Sequence, residues 1–137
     1  MVETKKQIEE NCRSWANAHL KTRQGSFEFR EHQLEHIVDA INYALTGKKT
    51  YVVEAPTGSG KSLIAMITCG VLSEYYGKRS YILVSDLGLL DQYASDFRKY
   101  GLPWGIIKGL DNYECVKSDV PFSLGECRLQ SIPYSIL

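Results

Sequence analysis

The sequence predicts an α/β fold, a mostly parallel sheet with flanking helices. Two observations carry this expectation. Three short runs rich in β-branched and aromatic residues, 50–55, 80–85 and 104–108, alternate with stretches of helical periodicity. A glycine-rich segment lies between the first run and the helix-like stretch after it. Alternating strands and helices imply crossover connections and hence parallel pairing.

In chain order, residues 3–21 suit a helix, with Ile8, Cys12, Trp15 and His19 on one stripe at three- and four-residue spacing. Gln24-Gly25-Ser26 breaks it. Residues 31–45 form a second helical stretch on Leu34, Ile37, Val38, Ile41 and Leu45, with Gly47 at its stopping place. Thr50 to Ala55 reads as a buried strand, 62–76 as a helix, and Ser80 to Ser85 as a second strand. Residues 87–100 form another helix and Trp104 to Lys108 a third strand. After Gly109 the periodicity fades, and Asp111 to Leu137 reads as loop-rich.

Composition narrows the class. With 137 residues, 44% of them hydrophobic, the chain has material for one compact domain with a core and too little for two. Lys and Arg total 16, as do Asp and Glu, so no global basic field advertises nucleic acid. A local basic strip remains compatible with that balance. No run approaches the roughly 18–20 apolar residues of a membrane span, and residues 1–10 lack an apolar signal core. The expected location is therefore cytoplasmic, with Cys12, Cys69, Cys115 and Cys127 reduced rather than paired.

The strongest chemical signal is Ala55-Pro56-Thr57-Gly58-Ser59-Gly60-Lys61-Ser62, placed after an expected strand and opening an expected helix. Glycines allow successive backbone N–H groups to turn toward phosphate oxygens without side chains in the way. A helix N-terminus directs its unpaired amides and dipole at the same anion. The motif is a P-loop, with ATP and Mg²⁺ as expected cofactors. Thr57, Gly58, Ser59, Gly60, Lys61, Ser62 and Leu63 are the expected binding residues. Lys61 reaches the terminal phosphates and Ser62 ligates Mg²⁺, which makes these two the catalytic candidates. Ala55 departs from the strict pattern, which has glycine there.

This loop resembles those of superfamily 2 helicases, and its flanks extend the resemblance. Phe29-Arg30-Glu31-His32-Gln33 resembles the Q motif, which implies that Gln33 recognises adenine, with Arg30 a secondary contact. The bland alternative for Gln33 is a polar residue on a surface helix. Residues 81–92 resemble motif Ia, implying that Ser85 and Gln92 touch a single-stranded nucleic-acid backbone, DNA rather than RNA. The alternative for Ser85 is a helix cap. Lys108-Gly109-Leu110-Asp111-Asn112-Tyr113-Glu114-Cys115 is similar to a segment of XPD/DinG-type helicases whose cysteine begins an iron–sulfur site. The resemblance implies a partial RecA-like domain at 26–110, preceded by a helical extension at 1–25. Residues 111–137 would be a tail resembling the start of an iron–sulfur or accessory insertion. A [4Fe–4S] cluster needs four thiolates. Only Cys115 and Cys127 lie in that region, so a cluster held by this chain alone is not expected.

Hydrolysis also requires an acidic strand end to hold Mg²⁺ and an arginine from a second lobe. No Asp-Glu pair follows an apolar run in this sequence. The expectation is an ATP-binding N-terminal segment of a helicase that depends on the remainder of the enzyme or on a complementing subunit. A stand-alone, non-catalytic nucleotide-binding or interaction module is the alternative. A small P-loop kinase is disfavoured, because Arg79, Arg98 and Arg128 are scattered rather than gathered in a lid.

Overall fold

The computed structural model describes residues 4–20, 25–109, 112–115 and 118–121. The chain divides into two units, residues 1–103 and 104–137. The first is built on four helices, α1 (Lys5–His19), α2 (Gln33–Leu45), α3 (Lys61–Tyr76) and α4 (Leu87–Lys99).

Each helix begins and ends for a local reason. Thr4 caps α1, its hydroxyl accepting the Gln7 N–H at 3.4 Å. Asp86 caps α4 in the same way, accepting from Leu89 N–H at 2.8 Å. Helix α3 stops at Gly77, where φ is +60°, a conformation that favours glycine. The Lys78 N–H closes that end on the Leu72 carbonyl at 2.9 Å.

Helices α1, α2 and α3 pack against one another. From α1, Ile8, Cys12, Trp15 and Ala16 are buried; Ile37, Val38 and Ile41 come from α2, and Ile64, Met66, Ile67, Val71 and Leu72 from α3. Fully buried isoleucines such as Ile8, Ile37, Ile41 and Ile67 each contribute about 1.5–3 kcal/mol relative to exposure. Helix α4 adds Ala94 to the buried residues and sets Tyr93 and Phe97 against the cluster. The first helix is thus part of the core. Its polar edge is pinned as well: His19 Nε2 lies 2.8 Å from Glu74 Oε2 on α3, and Asn11 donates to the Tyr76 hydroxyl at 3.0 Å.

The parallel sheet expected from the sequence is not what folds, and with it goes the partial RecA-like sandwich of sheet and helices. Among the described residues, 50–55, 80–85 and 104–108 belong to no strand. Val52 is 82% exposed, Tyr81 77%, Leu83 93% and Ile107 87%, whereas buried strands would hide them. The physical reason lies in α3. A flanking helix of an α/β fold buries its apolar face on the sheet, but here α1 and α2 pack on α3 and share its buried residues. Apolar runs become strands only where a neighbouring strand accepts their backbone hydrogen bonds.

The second unit contains the only strand pair among the described residues. Strands β1 (Glu114–Cys115) and β2 (Ser118–Pro121) pair antiparallel, Cys115 opposite Ser118, with an irregular register at Glu114. This falls in the stretch expected to be loop-rich. Ahead of it, Asn112 N–H bonds the Gly109 carbonyl at 2.9 Å, and Lys108 N–H donates to the Tyr113 hydroxyl at 2.8 Å. Among the described residues no helix is long and apolar enough to cross a membrane.

Candidate nucleotide site

The glycine loop joins the extended 50–55 segment to α3. Gly58 and Gly60 both have φ +84°, in the left-handed region that side chains disfavour. The turn is held by Ser59 N–H donating to the Pro56 carbonyl at 3.3 Å. Gly60 is the N-cap of α3, so no side chain occupies the capping position. The first-turn amides of α3 therefore keep their capacity for an external acceptor.

Lys61, the first residue of α3, folds back across the loop. Its ammonium donates to the Ala55 carbonyl at 2.8 Å and to the Pro56 carbonyl at 3.0 Å. The side chain is exposed, so its charge is held at the loop surface rather than in the core. Ser62 follows, half-buried. The Ser59 hydroxyl is buried and has no hydrogen-bond partner, an unspent polar atom within the loop. Positive-φ glycines, an uncapped helix start and an exposed ammonium are donors of the kind a phosphate chain requires.

Arg30 and Gln33 approach the loop from the start of α2. Gln33 is the one buried polar side chain among the described residues, 3% exposed. Its Nε2 donates to the Ser59 carbonyl at 2.9 Å, and its Oε1 accepts the Arg30 N–H at 2.9 Å. The Arg30 guanidinium Nη1 donates to the Gly58 carbonyl. The burial of Gln33 overturns its alternative as a surface residue. Sequence reasoning missed this use of Gln33, since side-chain-to-loop bonding leaves no periodic signal.

Beside Arg30 opens a cleft of about 590 Å³. Arg13 and Asn17 of α1 wall one side, and Phe27, Phe29, Arg30 and Leu34 line the rest. The Phe27 and Phe29 rings meet edge-on at 5.0 Å, and the Arg13 guanidinium lies 5.9 Å from the Phe29 ring centre. The Phe27 N–H is fixed by Asn17 Oδ1 at 2.9 Å. Residues of α1 thus border the region next to the loop, a placement invisible in the spacing of that helix.

Of the two motif Ia candidates, Ser85 precedes α4 and Gln92 lies within it. Ser85 is exposed and its hydroxyl donates to Asp86 Oδ2 at 3.2 Å, while Asp86 rather than Ser85 caps α4. Gln92 is exposed on α4. The backbone of Cys115 lies in β1, and Cys127 falls outside the described residues. Among the described residues no three His, Cys, Asp or Glu side chains gather in a group able to hold a metal ion.

Residues 26–112 match the family described as type III restriction enzyme, res subunit (ResIII). The chain belongs to the ResIII family. This is a superfamily 2, helicase-like family whose members generally use ATP and Mg²⁺ and bind nucleic acid. No curated protein and no solved structure matches the chain. The matched span contains the glycine loop, Arg30, Gln33, Ser85 and Gln92. It begins after α1, although α1 shares the core.

Proposed function

We propose that this chain is the ATP-binding N-terminal segment of an ATP-dependent superfamily 2 DNA helicase. The observation that carries the reading is the loop itself: two left-handed glycines, an uncapped start of α3, and Lys61 held across the mouth. Amides from Thr57 to Gly60 take the phosphate oxygens, with Leu63 packing beneath. Lys61 exchanges its two carbonyl partners for the terminal phosphates, and Ser62 supplies a hydroxyl ligand to Mg²⁺. The bound magnesium would neutralise charge on the phosphates. Ser85, just before α4, and Gln92, midway along it, are both exposed and are proposed to touch the backbone of single-stranded DNA. The segment from Lys108 to Cys115 favours an XPD/DinG-type enzyme on the resemblance of its residues.

The 137 residues hold no acidic pair after an apolar run, so binding without turnover is expected of this chain alone. Calorimetric titration with Mg·ATP tests the reading. Wild type binds, and Lys61→Ala lowers the affinity at least about tenfold, in keeping with the loss of a charge-assisted contact. Equal affinity in the two proteins, or no binding by wild type, overturns it.

A further inference from the structure

We propose that Gln33 and Arg30 form a latch that sets the backbone of the glycine loop, so that Gln33 is a positioning residue for the phosphates rather than a reader of the base. This rests on the reading of the loop as a triphosphate cradle, and it deepens that reading.

Four observations converge. Both ends of the Gln33 carboxamide bond within the protein, Nε2 to the Ser59 carbonyl and Oε1 to the Arg30 N–H. The Gln33 side chain is 3% exposed, so its carboxamide is enclosed against the loop rather than presented to solvent. The Arg30 guanidinium takes the Gly58 carbonyl, the neighbouring acceptor on the same loop. Finally, a Cβ added at Gly60 would lie closer than 3.0 Å to Gln33 Nε2. The loop therefore needs glycine at 60 for the approach of this amide as well as for its own turn.

Geometry explains what the latch does. A trans peptide points its C=O and N–H in opposite directions. Fixing the Ser59 carbonyl on Gln33 therefore turns the Gly60 N–H away from Gln33, to the opposite side of the loop. Without that hold, the Ser59–Gly60 peptide, which leads into a glycine Cα, is freer to turn. The latch is itself seated on a constrained turn. His32 has φ +60°, the one non-glycine residue with positive φ among those described, and Gln33 N–H closes on the Arg30 carbonyl at 3.1 Å. That strained turn places the Arg30 N–H where Gln33 Oε1 can accept it.

The test uses the full chain and three probes, Mg·ATP, Mg·GTP and magnesium tripolyphosphate, with Gln33→Met as a neutral variant of similar volume. The latch predicts that affinity for all three falls by the same factor, about 5–20-fold, with the ATP-to-GTP ratio unchanged. Arg30→Ala, at an exposed position, should give a smaller loss of about 2–5-fold, again the same for every probe. A loss confined to ATP, with tripolyphosphate binding intact, overturns the proposal and makes Gln33 a base reader. Amide hydrogen exchange in the ligand-free proteins provides the separate readout. In Gln33→Met, exchange at Ser59 and Gly60 should accelerate while amides of α1 keep their protection. Unchanged exchange at the loop also overturns the proposal. If wild type binds none of the probes, the cradle reading fails and the exchange result alone decides whether the latch exists.

Discussion

Gly70 of α3 lies directly against the indole of Trp15 of α1: a Cβ at residue 70 would fall closer than 3.0 Å to three ring atoms. The missing side chain lets the largest residue of α1 seat against α3, and Trp15 is 3% exposed as a result.

Gly70→Ala is therefore expected to destabilise the protein. In an open helix that change stabilises by about 1 kcal/mol, whereas overpacking a core costs about 1–3 kcal/mol. The packing cost should win, lowering the urea midpoint. Combining it with Trp15→Leu should restore the ordinary benefit of alanine relative to Trp15→Leu alone. A raised midpoint for the single variant would show that α1 does not seat on α3 in this way.

Cys12 gives a pH signature. Burial pushes its thiol up to about 12, from an ordinary value near 9.0. Between those values the unfolded thiol ionises while the folded one keeps its proton. Its contribution is complete below about pH 9 and is lost as pH rises toward 12, by up to about 1.4 kcal/mol per pH unit. Urea unfolding from pH 8 to pH 11 should show wild type losing stability relative to Cys12→Ala. Parallel curves would mean that this thiol is not buried in the folded state.

How far the sequence could be read follows from what each signal depends on. Helices α1 to α4 were legible because their periodicity is a local property, whereas the cap before Leu87 is Asp86 rather than the Ser85 that the sequence offered. The turn at 58–60 was legible as a glycine-rich break before a helix, and Gly58 and Gly60 both take positive φ there. The sheet was misread because an apolar β-branched run such as 50–55 satisfies a strand pattern without revealing whether a partner strand exists. That depends on tertiary packing, and here α1 and α2 cover α3 instead. The contacts of Gln33 were hidden for a related reason: a glutamine at a helix start reads as polar surface, and only the folded loop shows that its amide is enclosed.

The central claim is that backbone amides from Thr57 to Ser62, with the Lys61 ammonium, receive a triphosphate. Backbone amide NMR shifts during titration with Mg·ATP and with magnesium tripolyphosphate address it most directly. Both ligands should produce their largest shifts at residues 57–62 in wild type, and Lys61→Ala should abolish saturation at the same concentrations. Shifts concentrated elsewhere, or a loop unmoved by either ligand, would contradict the account.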